Sequence, residues 1–364
     1  MPKSIDRFIP IHPQLINWYK ENKRNLPWRK TTDPYLIWLS EIILQQTRVA
    51  QGMAYYQKFS QHYPTVFDLA NATEDEVMKD WQGLGYYSRA RNLHAAAKSI
   101  VNDHGGSFPK EYQAIRALKG VGHYTAAAVA SFAFDLPYPV LDGNVYRFLS
   151  RLYGIDIPIN TPAAQKEFLE LAEKLMPNQQ AAEFNQAIME FGALQCVPKN
   201  PKCSNCPFQS RCFAYSENKV DFFPVKKKAA KQKHRYFNYF VLQAESEVLI
   251  TQRTQKDIWH KLYEFPLIES KKKQNFESLL SLSDIHDKLK GQNFVLESQS
   301  EDYKHILSHQ IIHARFYQLK VEDLNSLGFT ECEIVNLSEF EKYPIPKLLE
   351  NYLRQETNFL SLPS

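Results

Sequence analysis

The sequence predicts a multidomain protein with an all-α N-terminal part and an α+β C-terminal part. The chain has 364 residues, which is long enough for two domains. Up to residue 217 the apolar residues recur at helical spacing, with a small-residue stretch near the middle. After His234 the apolar and aromatic residues alternate in short runs, which is typical of strands.

The composition is that of an ordinary soluble protein, with 44% apolar residues, 23% charged residues and a net charge of +4. This mild charge does not by itself require a nucleic-acid partner. No apolar run approaches the length of a membrane span, and the N-terminus lacks the apolar core of a signal peptide. We therefore expect a cytoplasmic protein without membrane contact.

The first predicted helices carry one unexpected acid. Helical spacing begins at residues 12–24, and after Asp33-Pro34 a helix that is apolar on most sides is predicted for residues 35–59. Glu41 lies in the middle of this apolar helix. A buried carboxylate there either pairs with a nearby arginine or is kept protonated as a catalytic acid, and the spacing leaves both interpretations open.

The segment WQGLGYYSRARNL joins two helices predicted between residues 64 and 100. Its glycine turn presents Tyr86 and Tyr87, with Arg89 and Arg91 close behind. Aromatic rings beside cations suit stacking on bases and contact with phosphates. The alternative is a helix junction with core tyrosines.

The segment 118–144 is predicted to be the centre of the chain. Gly120 and Gly122 form a turn whose uncovered N–H groups allow a phosphate to approach, and the helix predicted for 125–134 begins just after it. A proline-stiffened segment then delivers Asp142. Taken alone, the Gly-Val-Gly turn could equally be a plain helix connection.

Four cysteines follow the next helical stretch, residues 150–195, with the spacing C-x6-C-x2-C-x5-C. Four thiolates in a short loop require a cation, and sulfur ligation suits zinc or an iron–sulfur cluster. The spacing is not one of the usual zinc-finger patterns. Residues 218–233 are then rich in lysine, which predicts a linker.

These motifs together resemble the adenine DNA glycosylases of the helix-hairpin-helix, endonuclease III-like superfamily. The resemblance rests on LKGVGHYTA with VLDGNVYR, on PWRKTTDPYLIWLSEIILQQTRV, on GLGYYSRARNL, on the cysteine spacing and on HILSH. IWHKLYEFPL is similar to the start of a Nudix domain. The acid-rich metal helix of Nudix hydrolases is missing after Pro266, so a hydrolase site is not expected.

The resemblance implies a role for each site residue. The catalytic group would be Glu41, Asp142, Asn144 and Tyr124, and the adenine pocket would be Trp28, Arg29, Leu44 and Gln186. DNA contacts would come from Gln46, Thr47, Tyr86, Gly120, Gly122, Leu307, Ser308 and His309. One [4Fe–4S] cluster would be held by Cys196, Cys203, Cys206 and Cys212. Alternative interpretations stay open for three of these residues. Gln186 could be an ordinary surface amide, and Trp28 and Arg29 could pack at the surface with a solvated charge.

In the expected mechanism Glu41 protonates the adenine and Asp142 stabilises the sugar cation. Asn144 would hold the acid or the water, and Tyr124 would brace Asp142. The family usually has Phe where this chain has Leu307, which weakens a stacking role at that position. Ser308 and His309 would keep their hydrogen-bonding role toward 8-oxoguanine.

The expected domains are a catalytic glycosylase domain at 1–217, the linker at 218–233 and a Nudix-like recognition domain at 234–364. Within the first, a six-helix module would span about 24–135, and a cluster module would combine 1–23 with 136–217. The expected partner is double-stranded DNA with adenine opposite 8-oxoguanine or guanine, bound by a monomer near the bacterial nucleoid. Two alternatives are an endonuclease III-like glycosylase–lyase, in which a lysine would occupy the position of Tyr124, and a T/G-mismatch pyrimidine glycosylase.

Overall fold

The computed structural model describes residues 10–227, 231–281, 287–289 and 292–355. The expected domain limits at residues 1 and 364, and linker residues 228–230, lie outside these ranges. The chain divides into two compact units, Met1–Asn71 with Asn92–Lys228 and Ala72–Arg91 with Ala229–Ser364. No helix in the described ranges is long and apolar enough to cross a membrane.

Every regular element described between residues 10 and 227 is helical. The helices are α1 His12–Asn22, α2 Pro34–Ile43, α3 Val49–His62, α4 Val66–Asn71, α5 Glu74–Asp80, α6 Ser88–His104, α7 Tyr112–Ala117, α8 His123–Phe134, α9 Gly143–Tyr153, α10 Pro162–Leu175, α11 Ala181–Leu194 and α12 Phe213–Ser216. Helix α8 packs against α2, α7 and α11 in the first unit. Its small residues are almost all buried, which lets neighbouring helices approach closely.

Two helix predictions were wrong in detail. The single helix predicted for 35–59 is α2 and α3, separated at 44–48, where Gln46 has a left-handed φ of 54°. The two helices predicted between 64 and 100 are three, because Thr73 starts α5 with a capping box. The break after Ile43 places residues 44–48 outside the helix that carries Glu41.

The predicted hairpin is α7, a tight turn and α8. Gly120 has a φ of 79°, and a side chain there would come within 2.6 Å of Asn92 Cβ, so the position requires glycine. Gly122 has an extended backbone and is the N-cap of α8. A Cβ atom added to Gly122 would meet no heavy atom of the described residues within 4 Å.

The second unit contains a mixed sheet that confirms the α+β prediction. Its strands are β1 Lys233–Ala244, β2 Glu247–Gln252, β3 Tyr263–Glu264, β4 Leu267–Ser270, β5 Phe294–Gln299, β6 Tyr303–Ile306, β7 Gln310–Val321 and β8 Glu333–Asn336. The path β3-β2-β1-β7-β5 forms its backbone, with β4, β6 and β8 paired to β1, β7 and β2. The pair β1–β7 is parallel and the other pairs are antiparallel.

Two hydrophobic clusters lie on the sheet. One includes Phe237, Phe316 and residues of the C-terminal helix α14, Lys347–Gln355. The other includes Phe240 and Tyr317 together with α13, Phe276–Leu280. Alternate residues of β1 and β7 therefore face different clusters, as the pleat of a strand requires.

A buried ionic network supports the first cluster. Arg253 Nη1 donates to Glu264 Oε1 at 2.6 Å, and Tyr239 Oη donates to Glu264 Oε2 at 3.0 Å. Burial raises the pKa of Glu264 to about 7, against the opposing effect of Arg253. The carboxylate therefore depends on Arg253 for its charge.

We expect Arg253→Met to destabilise the second unit by about 3–5 kcal/mol, because a buried acid loses its partner. Hydrogen exchange of the β1 and β7 amides would measure this opening free energy. Lys342→Met is the control, since Lys342 and Glu339 form a largely exposed pair whose loss should leave the opening free energy nearly unchanged. Equal effects of the two substitutions would contradict the assignment.

Candidate active site

A cavity of about 180 Å³ in the first unit collects most of the predicted catalytic and adenine-pocket residues. Its lining includes Trp28, Arg29, Glu41, Leu44, Thr47, Tyr124, Asp142, Asn144 and Gln186. The two carboxylates come from α2 and from the segment before α9, so they reach the same cavity from different parts of the chain. The volume suits a group about as large as one nucleobase.

Glu41 is 3% exposed and is held at both oxygens. Arg29 Nη2 donates to Oε1 at 3.0 Å, and Tyr124 Oη donates to Oε2 at 2.9 Å. Burial raises the pKa of Tyr124 well above its usual value, and the nearby Glu41 raises it further, so the phenol stays protonated. The expectation that Tyr124 braces Asp142 was wrong, because its hydroxyl bonds to Glu41 instead.

Asp142 is the N-cap of α9. Its Oδ1 accepts from the backbone N–H groups of Asn144 and Val145 at 2.9 and 2.8 Å, and Oδ2 accepts from Asn144 Nδ2 at 2.6 Å. Burial raises the pKa of Asp142, and these hydrogen bonds together with Arg147 lower it. The helix terminus therefore stabilises an anion that the cavity would otherwise disfavour.

Arg147 links this carboxylate to the cysteine segment. Its Nη2 donates to Asn144 Oδ1 at 2.9 Å and to the Gly192 carbonyl at 2.5 Å, while Nε donates to the Cys196 carbonyl at 2.7 Å. Asn144 therefore connects Asp142 to Arg147. The position of Asp142 therefore depends on the backbone carbonyls of Gly192 and Cys196.

Aromatic and cationic side chains form part of the remaining cavity wall. Trp28 is 1% exposed and meets Tyr56 edge to face. The Arg29 guanidinium lies 4.2 Å from the centre of the Phe132 ring. Its Nη1 is buried and finds no hydrogen-bond partner in the part of the chain that the structure describes. Arg29 is one of the residues that line the cavity.

Two side chains beside the cavity were missed by the sequence analysis. The Glu190 carboxylate accepts from the Arg24 backbone N–H at 2.9 Å and from its Nη2 at 2.6 Å. Tyr19 Oη donates to Gln186 Oε1 at 2.7 Å, which fixes the amide of this predicted pocket residue. Glu190 carried the same signal as Glu41, an acid inside an apolar helix, and could have been found by it.

Several predicted DNA contacts lie outside the cavity. Gln46 is exposed in the turn after α2, and Gly120 and Gly122 lie in the hairpin. Of the two neighbouring tyrosines in the second unit, Tyr86 is 48% exposed with a left-handed φ of 51°. Tyr87 is buried, and its hydroxyl donates to the Ile345 carbonyl at 3.2 Å.

The turn between β6 and β7, Leu307–His309, will be called the recognition loop. Ser308 and His309 are exposed, whereas the Leu307 side chain packs against the first hydrophobic cluster. Ser308 Oγ and Tyr86 Oη share a hydrogen bond of 2.7 Å within the second unit. Tyr86 and Ser308, both predicted to contact DNA, are thus neighbours.

The four cysteines of the C-x6-C-x2-C-x5-C motif line one cavity with Arg151 and Phe208. Burial raises the pKa of the Cys206 thiol to about 12 and also raises those of Cys203 and Cys212. Arg151 Nη1 lies 3.5 Å from Cys196 Sγ. Within the described ranges, no three His, Cys, Asp or Glu side chains are placed to hold a single metal ion.

Comparison with known proteins agrees with this arrangement. Residues 39–174 match the model of the HhH-GPD superfamily of base excision DNA repair proteins, and residues 238–355 match a NUDIX domain. An adenine DNA glycosylase of Buchnera aphidicola subsp. Acyrthosiphon pisum is 34% identical over 94% of this chain and 97% of its own length. The chain belongs to the adenine DNA glycosylase family. A human adenine DNA glycosylase is 42% identical over 58% of this chain and 40% of its own length.

Solved structures also resemble this family member. A thermostable thymine-DNA glycosylase has 33% identity and a TM-score of 0.53 and covers 57% of this chain and 95% of its own. A trapped endonuclease III–DNA covalent intermediate has 21% identity and a TM-score of 0.50 and covers 57% and 94%. The second likeness shows the fold alone. Together with the family match, they confirm the predicted helical glycosylase fold followed by a Nudix-like domain.

Proposed function

We propose that this chain excises adenine mispaired with 8-oxoguanine or guanine in DNA by hydrolysing the N-glycosidic bond. The observation that carries the proposal is that Glu41 and Asp142, two acids in different surroundings, line one cavity of nucleobase size. Cleavage of a glycosidic bond needs a proton for the leaving group and a counter-charge for the sugar cation. Two carboxyl groups with different environments can divide these tasks.

Glu41 is proposed as the proton donor toward adenine N7. The hydroxyl of Tyr124 both donates and accepts, so it can remain bonded to Glu41 when the carboxyl carries a proton. Arg29 donates only, and it pairs with the ionised form that remains after transfer. Tyr124 and Arg29 thus hold the same carboxyl in its two protonation states.

Asp142 is proposed to stabilise the oxocarbenium ion at C1′ or to trap it covalently. Its negative charge is supported by two backbone N–H groups at the start of α9 and by Asn144. A fixed anion beside a developing cation lowers the barrier without reorganisation. Asn144 would also hold the attacking water.

The reaction is expected to stop at base release. A glycosylase–lyase needs an amine that attacks the sugar. None of the side chains that line the cavity is a lysine, and Tyr124 stands where the lyases carry theirs. The proposed enzyme is therefore monofunctional.

The proposed substrate is duplex DNA with the adenine turned out of the stack. The hairpin Gly120–Gly122 would bind a phosphate, and Tyr86 would enter the stack, for which its exposure and left-handed backbone are suitable. Gln46 and Thr47 would face the opposite base. Ser308 and His309 would recognise 8-oxoguanine, and the protein would act as a monomer at the bacterial nucleoid.

A [4Fe–4S] cluster held by Cys196, Cys203, Cys206 and Cys212 is also proposed. Their thiols line one cavity but are not placed around a single ion, and a four-iron cluster takes one thiolate on each iron. Burial raises the pKa of these thiols and so disfavours their ionised form. A cationic group such as the cluster would therefore be needed to hold them as thiolates. When bound, the cluster would hold the segment whose Cys196 carbonyl anchors Arg147.

We expect Glu41→Gln and Asp142→Asn each to slow adenine release by about 10²–10⁴-fold while duplex binding survives, because each removes one half of the acid–anion pair. Single-turnover assays on duplexes with adenine opposite each base and 8-oxoguanine measure this. Glu170→Gln and Asp156→Asn, at exposed positions, are matched controls. Wild-type turnover in Asp142→Asn would remove that residue from the mechanism.

The pH dependence should report on Asp142. The carboxylate must be ionised, so the rate falls as the pH drops through its pKa, which burial places above 3.8. Because the Asn144 side chain lowers this pKa, Asn144→Ala should shift the acid limb of the single-turnover rate to higher pH. Asn102→Ala, at an exposed helix position, should leave the limb in place, and an unshifted limb in Asn144→Ala would refute the assignment.

The purified protein should contain about four iron atoms per chain and absorb visible light, as an iron–sulfur cluster does. Cys203→Ser should lose iron and absorption, because one ligand is missing. Cys332→Ser should retain both, since this cysteine belongs to the second unit and is not part of the four-cysteine motif. Stoichiometric zinc without iron in the wild-type protein would contradict the cluster.

A further inference from the structure

We infer that Gln232 is a positioning residue for the recognition loop and thereby sets the preference for 8-oxoguanine over guanine opposite adenine. The inference rests on the proposed function of Ser308 in this loop. Gln232 lies near the end of the predicted linker, residues 218–233. Nothing in the motifs assigns it a role.

The turn at the recognition loop is closed in an unusual way. Ile306 pairs with Ile311 across β6 and β7, and the Leu307 N–H donates to the Gln310 carbonyl at 2.9 Å. In a common β-turn the first carbonyl accepts from the N–H three residues later. The Leu307 carbonyl instead accepts from Gln232 Nε2 at 2.8 Å.

The other side of the loop is held by the next residue. The Lys233 backbone N–H donates to the His309 carbonyl at 3.0 Å, where the parallel pairing of β1 with β7 begins. The carbonyl of the residue before Ser308 is therefore held by Gln232, and the carbonyl of the residue after it by Lys233. The bond from Lys233 is independent of its side chain. The bond from Gln232 is donated by its side-chain Nε2, so it requires an amide side chain of this length at position 232.

These bonds restrict the backbone around Ser308. With the Leu307 and His309 carbonyls held, Leu307 packed on the hydrophobic cluster, and the Ser308 hydroxyl bonded to Tyr86 Oη at 2.7 Å, the hydroxyl has a defined position at the exposed tip. 8-Oxoguanine carries an N–H at position 7, where guanine has a bare acceptor. A hydroxyl oxygen held at the correct place accepts from that N–H, and a displaced hydroxyl loses this distinction.

The test compares Gln232→Glu with Gln243→Glu. The first replaces a donating amide by a carboxylate of the same shape that repels the Leu307 carbonyl. The second makes the same change on β1, where Gln243 Nε2 bonds only the exposed turn at Glu245 and its carbonyl side faces Gln318. Ser308→Ala is the reference for complete loss of the recognition hydroxyl.

The measurement is the ratio of single-turnover excision rates, at subsaturating protein, for adenine opposite 8-oxoguanine and opposite guanine. Loss of one hydrogen bond predicts that Gln232→Glu lowers this ratio about three- to tenfold, toward that of Ser308→Ala. The rate opposite guanine should stay unchanged. Gln243→Glu should keep the wild-type ratio.

Three outcomes would overturn the inference, and they differ in what else fails. A Gln232→Glu ratio equal to wild type, with a lowered Ser308→Ala ratio, rejects Gln232 alone. Equal losses on both duplexes with a lower melting temperature assign it a merely structural role. A wild-type protein without preference for 8-oxoguanine rejects the proposed role of the recognition loop itself.

Discussion

The placement of Asp142 at the start of α9 is the constraint on which the rest of the first unit depends. A carboxylate buried beside a cavity is unstable unless donors surround it. Here the donors are backbone N–H groups that α9 leaves unpaired in its first turn, so capping the helix and stabilising the anion are the same interaction. The hairpin and α8 precede this segment, and α9 begins at it. A shift of the acid would therefore disturb both helices.

Glu41, the other acid that lines the cavity, is stabilised in a different way. Glu41 lies within a helix, where the backbone offers no free N–H groups, so its partners must be side chains. Arg29 and Tyr124 come from segments before and after it; Arg29 packs on the Phe132 ring, and Tyr124 is fixed in the first turn of α8. One acid is thus defined by a helix end and the other by tertiary contacts.

Sequence reasoning succeeded where a local pattern carries the physics. The Gly-Val-Gly turn, the acid in an apolar helix and the alternating strands are such patterns, and α8, the position of Glu41 and β7 are as expected. It failed at Gln46, whose left-handed backbone ends α2 with no glycine or proline to signal it. It also failed for Tyr124, because which of two acids a hydroxyl meets is decided by helix packing and not by spacing. Gln232 was missed because its partner, Leu307, lies 75 residues further along the chain.

The second unit has the architecture of a Nudix-like domain, although the acid-rich motif of Nudix hydrolases is missing from its sequence after Pro266. Where Nudix hydrolases carry an acid-rich metal helix, the sequence after Pro266 contains three consecutive lysines, and residues 276–280 form the five-residue α13. What remains is a sheet whose two longest strands, β1 and β7, pair in parallel along nearly their full length. The recognition loop enters β7 directly, and Gln232 leads into β1, so both ends of the loop are tied to this pair. A short turn held in that manner has few conformations to lose on binding, which is the property that the proposed selection between bases by Ser308 requires.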